Sequence, residues 1–398
     1  MKQVQDAYIV AATRTPIGRS HKGFFRNYRP DDLLAATLRA AMAQAPGLDP
    51  HAVEDVICGC AIPEAQQGLN VARIGAVLAG LPESVGGITV NRFCASGLSA
   101  VAQAADRIRV GEADVMIAAG VESMSLVPMM GNSPSLSPAI FEREGDVGIA
   151  YGMGLTAEKV AQQWQVGREA QDAFALQSHQ RALAAQQAGE FKDEITPIEV
   201  VDRGLDLVRG EPVASRRTVD LDEGPRPDTS LEGLARLRTV FAARGTVTAG
   251  NSSQTSDGAG ALILASEAAV KRFGLAPLAR FVSFASKGVP PAIMGIGPIE
   301  AIPAALRYAG LTQDDMDWIE LNEAFAAQSL AVMNTLHLDP AKVNPLGGAI
   351  ALGHPLGATG AIRSATVVHA LRRRKLRYGM VTMCVGMGQG AAGIFERL

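Results

Sequence analysis

The chain reads as a duplicated, layered α/β protein with a differently textured segment inserted into its first half. Three observations predict this. Short apolar strands alternate with helical periodicities across short joints, the pattern of sheets flanked by helices. The two ends of the chain also repeat one another. Aligning Gly47-Leu48 with Gly310-Leu311 sets Ala52-Val53-Glu54-Asp55-Val56 against Asp315-Met316-Asp317-Trp318-Ile319. An offset three residues longer sets Val115–Gly120 against Val381–Gly386, so each half reads β-α-β-α-β-α-β. Between them the texture changes: Pro, Ser, Met and Gly crowd Ser123–Ser137, and helices then alternate with charged, Pro-containing connections. The expected division is 1–120 with 247–272 as the first half, 121–246 as the insert and 273–398 as the second half.

Composition narrows the class. With 398 residues, 47% hydrophobic and 19% charged, the chain has ample core and no disordered tract. A net charge of −3 gives no nucleic-acid footprint. Sparse aromatics (5%) and 42 glycines suit closely packed layers. No apolar run approaches the ~18–20 residues that span a bilayer. The opening Met1–Val10 enters a strand without a signal-peptide pattern. Cys58, Cys60, Cys94 and Cys384 have neither metal-site nor disulfide spacing, and a reducing cytoplasm is the expected compartment.

In chain order, Ala7–Ala12 is a strand and Thr13–Gly18 a turn. Asp31 and Asp32 are expected to cap a helix to about Ala43, with Leu33, Leu34, Thr37, Leu38 and Ala41 on one face. Val53–Cys60 is a strand whose two cysteines pack, and Asn70–Leu81 is a helix. The strand Thr89-Val90 hands over at Cys94 to a helix whose apolar face is Leu98, Val101, Ala102, Ala105 and Ile108. At that junction the helix N-terminus favours a thiolate, and Ser96 and Gly97 are small enough to let another group approach the sulfur. Ala113–Ala119 is a buried strand. In the insert, Thr156–Trp164 and Arg168–Ala188 are amphipathic helices, whereas Phe191–Val200 and Arg216–Arg226 are excursions. Thr246–Asn251 rejoins the core ahead of strand Ala261–Ala265. Then come strand Arg280–Ala285, helix Ile299–Ala309 and strand Met316–Leu321.

Chemistry concentrates in four places. One is Asn91-Arg92-Phe93-Cys94-Ala95-Ser96-Gly97. The second is Asn344–Gly360, where glycines surround His354 and Pro355 and a helix opens at about Gly357; with no Lys-Ser/Thr following, it is not a phosphate loop. In the third, Cys384 ends a strand and Gly386, Gly388 and Gly390 follow, a spacing that exposes backbone N–H groups for an oxyanion. The fourth is Asn322-Glu323-Ala324-Phe325, again at a strand exit.

These stretches resemble those of the thiolases, and the resemblance runs over essentially the whole chain. It implies a five-layered αβαβα thiolase fold of two βαβαβαββ halves, with a loop domain inserted in the first. It also implies cleavage of a 3-oxoacyl-CoA by coenzyme A, yielding acyl-CoA and acetyl-CoA as in fatty-acid β-oxidation. In that reaction Cys94 carries the acyl group, His354 takes its proton and Cys384 protonates the departing acetyl-CoA carbanion. The N–H groups of Cys94 and Gly386 hold one oxyanion, and His354 with a water on Asn322 holds the other. Arg226 lies near the adenine nucleotide, and Ser253, in Ala249–Ser253, near the pantetheine. Leu234, Phe241, Met153 and Phe325 line an apolar tunnel for pantetheine and acyl chain. Coenzyme A is a co-substrate, with no permanently bound cofactor and no metal. The resemblance further implies a homodimer or homotetramer, and leaves open a hydratase/dehydrogenase partner subunit.

One departure bears on specificity. Thiolases that make acetoacetyl-CoA carry a His directly before the Met-Gly of the loop domain, where this chain has Gly152. The missing imidazole opens room for longer acyl chains, favouring a degradative enzyme over an acetyl-CoA C-acetyltransferase. Decarboxylating condensing enzymes of the same fold lack a second Cys followed by Gly-x-Gly, so Cys384 argues against them. A non-catalytic acyl-CoA-binding scaffold has no need to retain Cys94, His354 and Cys384 together.

Overall fold

The computed structural model describes residues 4–206 and 210–398; Met1–Gln3 of the expected N-terminal strand entry lie outside it. The first half runs β1 (Tyr8–Arg14), β2 (Gly18–Arg19), α1 (Pro30–Gln44), β3 (Asp55–Gly59), α2 (Val71–Ala79), β4 (Gly86–Val90), α3 (Ser96–Arg109) and β5 (Val115–Ser123). The insert carries α4 (Met153–Gln163), α5 (Arg168–Gln187), β6 (Ile198–Asp206), β7 (Glu211–Val219) and α6 (Leu231–Ala235). The chain re-enters the core at β8 (Ser256–Ala265) and passes through α7 (Glu267–Phe273). The second half follows as β9 (Ala279–Gly288), α8 (Gly297–Ala309), β10 (Trp318–Leu321), α9 (Ala326–Leu336), α10 (Ala349–Leu352), α11 (Leu356–Arg374), β11 (Tyr378–Val385) and β12 (Gln389–Arg397).

The duplication is visible in the strand pairing. In the first half the order is β4-β3-β5-β8-β1, with β3 parallel to β4 and β5, and β8 antiparallel to β5 and β1. In the second half Val343 bridges Ile319 in parallel, β10 pairs β11 in parallel, and β12 lies antiparallel to β11 and β9. The two orders match element for element. Where two separate sheets are expected, β1 also meets β9 through Tyr8↔Arg280 and Ile9↔Ala279, so the strands join edge to edge.

Most of the core falls into three slabs, one around each helix layer of the αβαβα arrangement. One lies between α1, α2 and the first sheet, around Leu33, Leu34, Leu38, Val56, Val71 and Ile263. The middle slab, around Leu98, Val101, Ile108, Val368, Leu371 and Phe395, contains α3 and α11. The third holds α8 against the second sheet through Ile302, Ala305, Ile319, Met380 and Ile394.

Helices α3 and α11 are brought together by glycine. A Cβ on Gly97 would stand 2.6 Å from the Ala361 nitrogen, and one on Gly360 would stand 2.1 Å from the Leu98 nitrogen. Gly97 is small for this contact, not to open the sulfur to an approaching group. Ser96 turns inward as well: its hydroxyl accepts from Arg92 N at 2.8 Å and donates to the Phe93 carbonyl at 2.7 Å.

Other local expectations change. At the first helix Arg29 takes the N-cap position without a side-chain cap, and Pro30 follows at the first helical position, a residue whose fixed φ suits that place; Asp31 is buried and paired with Arg29. Asn70 lies ahead of α2 as its cap, accepting from Arg73 N at 3.4 Å. The two insert excursions include an antiparallel hairpin, β6–β7. The insert is tied to the first half by buried Arg14, which meets Glu194 at 2.7 Å and both Asp222 oxygens at 2.7 and 2.9 Å. Among the described residues no helix is long and apolar enough to cross a membrane.

Candidate active site

Cys94 lies in a single 3₁₀ turn, Phe93–Ala95, between β4 and α3. His354 precedes α11, the helix packed on α3, and Cys384 lies near the end of β11. The close approach of α3 and α11 therefore brings their two leading residues together. Cys94, His354 and Cys384 all line one cavity of about 460 Å³, together with Met153, Phe241, Ser253 and Phe325. That volume suits a small-molecule site.

His354 is buried and its protonation pattern follows from its neighbours. The Thr359 hydroxyl lies 2.6 Å from Nδ1 and 3.1 Å from the Pro355 carbonyl. A carbonyl only accepts, so the hydroxyl donates to Pro355 and accepts the ring's Nδ1–H. Nε2 is left with its lone pair, facing the Asn322 side-chain amide at 3.3 Å. Burial, reinforced by the Arg363 charge, pushes the imidazole pKa down to about 3. It is a neutral base. Asn322 Oδ1 is buried with no hydrogen-bond partner, so the amide keeps an acceptor for a further donor.

The Cys94 thiol departs from expectation. Burial pushes its pKa up to about 11, outweighing the backbone N–H groups of Gly386 and Cys94 itself, and Glu122 adds to the rise. The helix start does not win at this depth, because desolvation of a thiolate exceeds what two N–H groups return. The thiol stays protonated until a base takes its proton. Burial also raises Cys384 well above the usual thiol range, and charge on nearby Cys94 raises it further.

The glycines divide by role. Only Gly386 of the late trio faces the Cys94 sulfur. Gly388 turns the chain at φ 86°, and a Cβ on Gly390 would stand 2.0 Å from the Gly297 carbonyl carbon. The glycines around His354 serve packing and do not clear space. Gly353 turns at φ 103° against Ser256, and Gly357 lies against Ala61, Cys60 and Glu122.

Two carboxylates hold these loops. Glu323 accepts from Ser178 Oγ, Asn344 Nδ2 and Ile350 N at 2.6, 2.8 and 3.2 Å, fixing the segment that leads to His354. Glu122 accepts from Ala61 N and Gly357 N, each at 2.8 Å, and from Ile62 N and Gln67 Nε2, so one side chain joins the end of β3 to the start of α11. Sequence reasoning names neither Glu122 nor Thr359 as part of the site. The available signal for Glu122 is a carboxylate in a strand otherwise buried throughout, Val115–Ser123.

The expected ligand-binding residues fall in two adjoining clefts. Arg226, Leu234 and Ala249 line an outer cleft of about 300 Å³, with His179 receiving a hydrogen bond from Arg226 N at 3.1 Å. Met153, Phe241, Ser253 and Phe325 line the inner cavity, and Gln254 belongs to both. Phe241 and Phe325 meet edge to face with centroids 6.1 Å apart. Gly152 also faces the inner cavity, and a Cβ placed on it would have nothing within 4 Å. Cys58 and Cys60 are buried and free, as are the other two cysteines. Among the described residues no group of three or more His, Cys, Asp or Glu could hold a metal.

Comparison with known proteins is consistent across the chain. Family models described as the N-terminal and C-terminal domains of thiolase match residues 7–268 and 275–397. The 3-ketoacyl-CoA thiolase of Bacillus subtilis is 50% identical over 395 residues, covering 99% of this chain and 100% of that one. Human mitochondrial 3-ketoacyl-CoA thiolase in complex with CoA superimposes at a TM-score of 0.88 with 40% identity, covering 100% of both chains. Acetyl-CoA acetyltransferase of Bacillus anthracis also superimposes at 0.88, with 38% identity and full coverage of both.

Proposed function

The chain belongs to the thiolase family, and from that premise we propose that it is a 3-ketoacyl-CoA thiolase cleaving 3-oxoacyl-CoA with coenzyme A. The observation that carries the reading is the meeting of two protonated thiols, Cys94 and Cys384, with a neutral imidazole, His354, around one cavity.

In this reading the Cys94 thiol passes its proton to His354 Nε2 as the sulfur adds to the 3-keto carbon. The N–H groups of Cys94 and Gly386 take the charge that forms on the keto oxygen. Collapse breaks the bond between Cα and Cβ. The acetyl-CoA carbanion receives the Cys384 proton, its thioester oxygen held by His354 and a water on the unpartnered Asn322 Oδ1. Incoming coenzyme A gives its proton to the Cys384 thiolate and takes the acyl group. The Cys94 thiolate recovers its proton from His354, and all charges are restored.

Coenzyme A enters through the two joined clefts. Arg226 is exposed at the outer one, suited to the nucleotide, while Ser253, Leu234, Ala249, Phe241, Met153 and Phe325 suit the narrower pantetheine arm. Residues 121–246 form the inserted domain that supplies much of this passage. The open space at Gly152 supports a degradative enzyme over the acetoacetyl-CoA-forming one, whose fold is equally similar. Four free cysteines support a reducing cytoplasm. A homodimer is supported by β4, an edge strand with Ile88 46% exposed, beside exposed Val77 and Leu78 of α2.

The test is thiolysis of 3-oxoacyl-CoAs of graded length. Each methylene buried is worth about 0.8 kcal/mol, so kcat/KM should rise several-fold from four to six or eight carbons. Brief incubation with substrate should leave the acyl group on a peptide containing Cys94. An enzyme fastest on the four-carbon substrate and inert to longer ones would replace this reading with the acetyltransferase.

A further inference from the structure

One residue stands where the two clefts meet. Gln254 lines the outer cleft beside Arg226 and the inner cavity beside His354. Its side-chain nitrogen donates to three carbonyls, those of Gly224 at 3.1 Å, Ile350 at 3.2 Å and Ala351 at 3.1 Å. Its own carbonyl accepts from His354 N at 3.2 Å and from the Ser256 hydroxyl at 2.8 Å. We propose that Gln254 is a positioning residue: it couples the loop carrying Arg226 to His354, so that seating the nucleotide of coenzyme A in the outer cleft sets the imidazole for the chemical steps.

This role presupposes the thiolase reading, with coenzyme A in the two joined clefts. Both ends of the link are tight. Gly224 lies two residues before Arg226, and a Cβ on it would stand 2.2 Å from the Ala351 carbonyl oxygen, so the loop is pressed onto α10. The same loop is held on either side of Gly224, by Arg14 on Asp222 and by Arg226 N donating to His179 Nδ1 at 3.1 Å. At the other end, α10 stops at Leu352, two residues before His354. There His354 N is shared between the Gln254 carbonyl and Ser256 Oγ, at 3.2 and 3.1 Å, and Thr255 forms a parallel bridge with His354. A displacement of the Arg226 loop therefore reaches the imidazole by two routes that share one residue, through α10 and through the backbone of residues 254–256.

The amide is oriented by what its nitrogen ties together. Its two N–H groups are shared among three carbonyls, while Oε1 is buried with no hydrogen-bond partner. Leaving a buried acceptor unpaired is costly, so the contacts on the nitrogen side decide how the side chain lies. The nucleotide takes no part in the bonds that change during thiolysis. Its binding energy raises turnover only where it is transmitted to the groups that react. Gln254 supplies a contiguous path for that transmission, from the insert to the residue that takes the Cys94 proton.

The experiment compares substrates with and without the nucleotide: 3-oxohexanoyl-CoA with coenzyme A, and 3-oxohexanoyl-pantetheine with pantetheine. The reacting atoms are the same in both pairs. Saturating kcat and KM are measured for the wild type, Gln254→Met, Arg226→Ala and the double variant, with melting curves to confirm folding. Gln254→Met keeps the length of the side chain and removes its N–H groups. The wild type should turn over the CoA pair about tenfold or more faster than the pantetheine pair. In Gln254→Met that ratio of kcat values should fall about fivefold or more, and in the double variant it should fall no further. A ratio left unchanged in Gln254→Met, with both pairs slowed alike, makes the residue a support for the fold and overturns the coupling. So does a rise in KM for the CoA pair at constant kcat, or a wild type with equal kcat for both pairs. Should Gln254→Met fail to fold, Arg226→Ala at an exposed position decides: a kcat ratio equal to that of the wild type overturns the coupling. A wild type that cleaves neither pair overturns the thiolase reading as well.

Discussion

Cys94 and His354 begin as an uncharged pair, and the residues around them explain why. A thiol at about 11 beside an imidazole at about 3 does not form a resting thiolate–imidazolium pair. In the proposed mechanism proton transfer is therefore coupled to attack, when charge moves onto an oxygen that the Gly386 and Cys94 N–H groups can hold. A raised thiol pKa means that thiolate appears only as pH rises toward it. Iodoacetamide alkylation of Cys94 in the unliganded enzyme should thus accelerate about tenfold per pH unit and still be climbing near pH 10. A profile half-maximal near pH 8.5, the ordinary thiol value, and level by about pH 10 would show that burial does not govern this sulfur. The proposed mechanism gives the second thiol a separable task. Cys384→Ala should still load an acyl group onto Cys94 from a saturated acyl-CoA, yet lose on the order of 10²–10⁴-fold in carbon–carbon cleavage. Equal loss in both partial reactions, followed by acyl labelling and by release of acetyl-CoA, would remove the role assigned to Cys384.

At the scale of elements, the site depends on how closely α3 and α11 approach. Cys94 and His354 sit just ahead of these helices, so a shift between the helices displaces the thiol from the imidazole. Gly360 is the tightest contact: an added Cβ would stand 2.1 Å from Leu98 N and 2.8 Å from Leu98 Cβ. Backbone cannot yield as a flexible side chain does. Gly360→Ala should destabilise the fold by about 2–3 kcal/mol in urea titration and lower kcat at temperatures where the variant remains folded. Unchanged stability and turnover would mean that the two helices have slack between them. The apolar face of α3 is legible in its sequence because a helix repeats every 3.6 residues. That Gly97 serves α11 is not, because its partner lies more than two hundred residues away.

For the molecule as a whole, the outer edge of the first sheet remains open. β4 ends the strand order with Ile88 outward, and Val77 and Leu78 extend the apolar surface along α2. A second copy related by a twofold axis can pair with this edge and cover these side chains at once. Ile88→Lys places a charge at that contact. Sedimentation analysis should find the wild type dimeric or larger and the variant shifted toward monomer. A monomeric wild type, or a variant that stays fully assembled, would move the interface elsewhere. The edge matters for catalysis because the chain passes from β4 to Cys94 in four residues, and a partner on β4 would steady that turn.

The alternation of apolar strands and helices, the repeat between halves, and the glycine-flanked Cys94, His354 and Cys384 are all local or periodic patterns. They are readable because strand and helix periods depend on neighbouring residues alone. The matching strand orders of the two halves then follow from repeating one pattern twice. What only the tertiary structure decides depends on residues distant in the chain. Glu122 holding Gly357, Thr359 choosing the tautomer of His354, burial lifting Cys94 against its helix start, and Gln254 joining Gly224 to α10 all arise there. Desolvation and close packing are properties of what surrounds a group, and a linear order does not contain its surroundings.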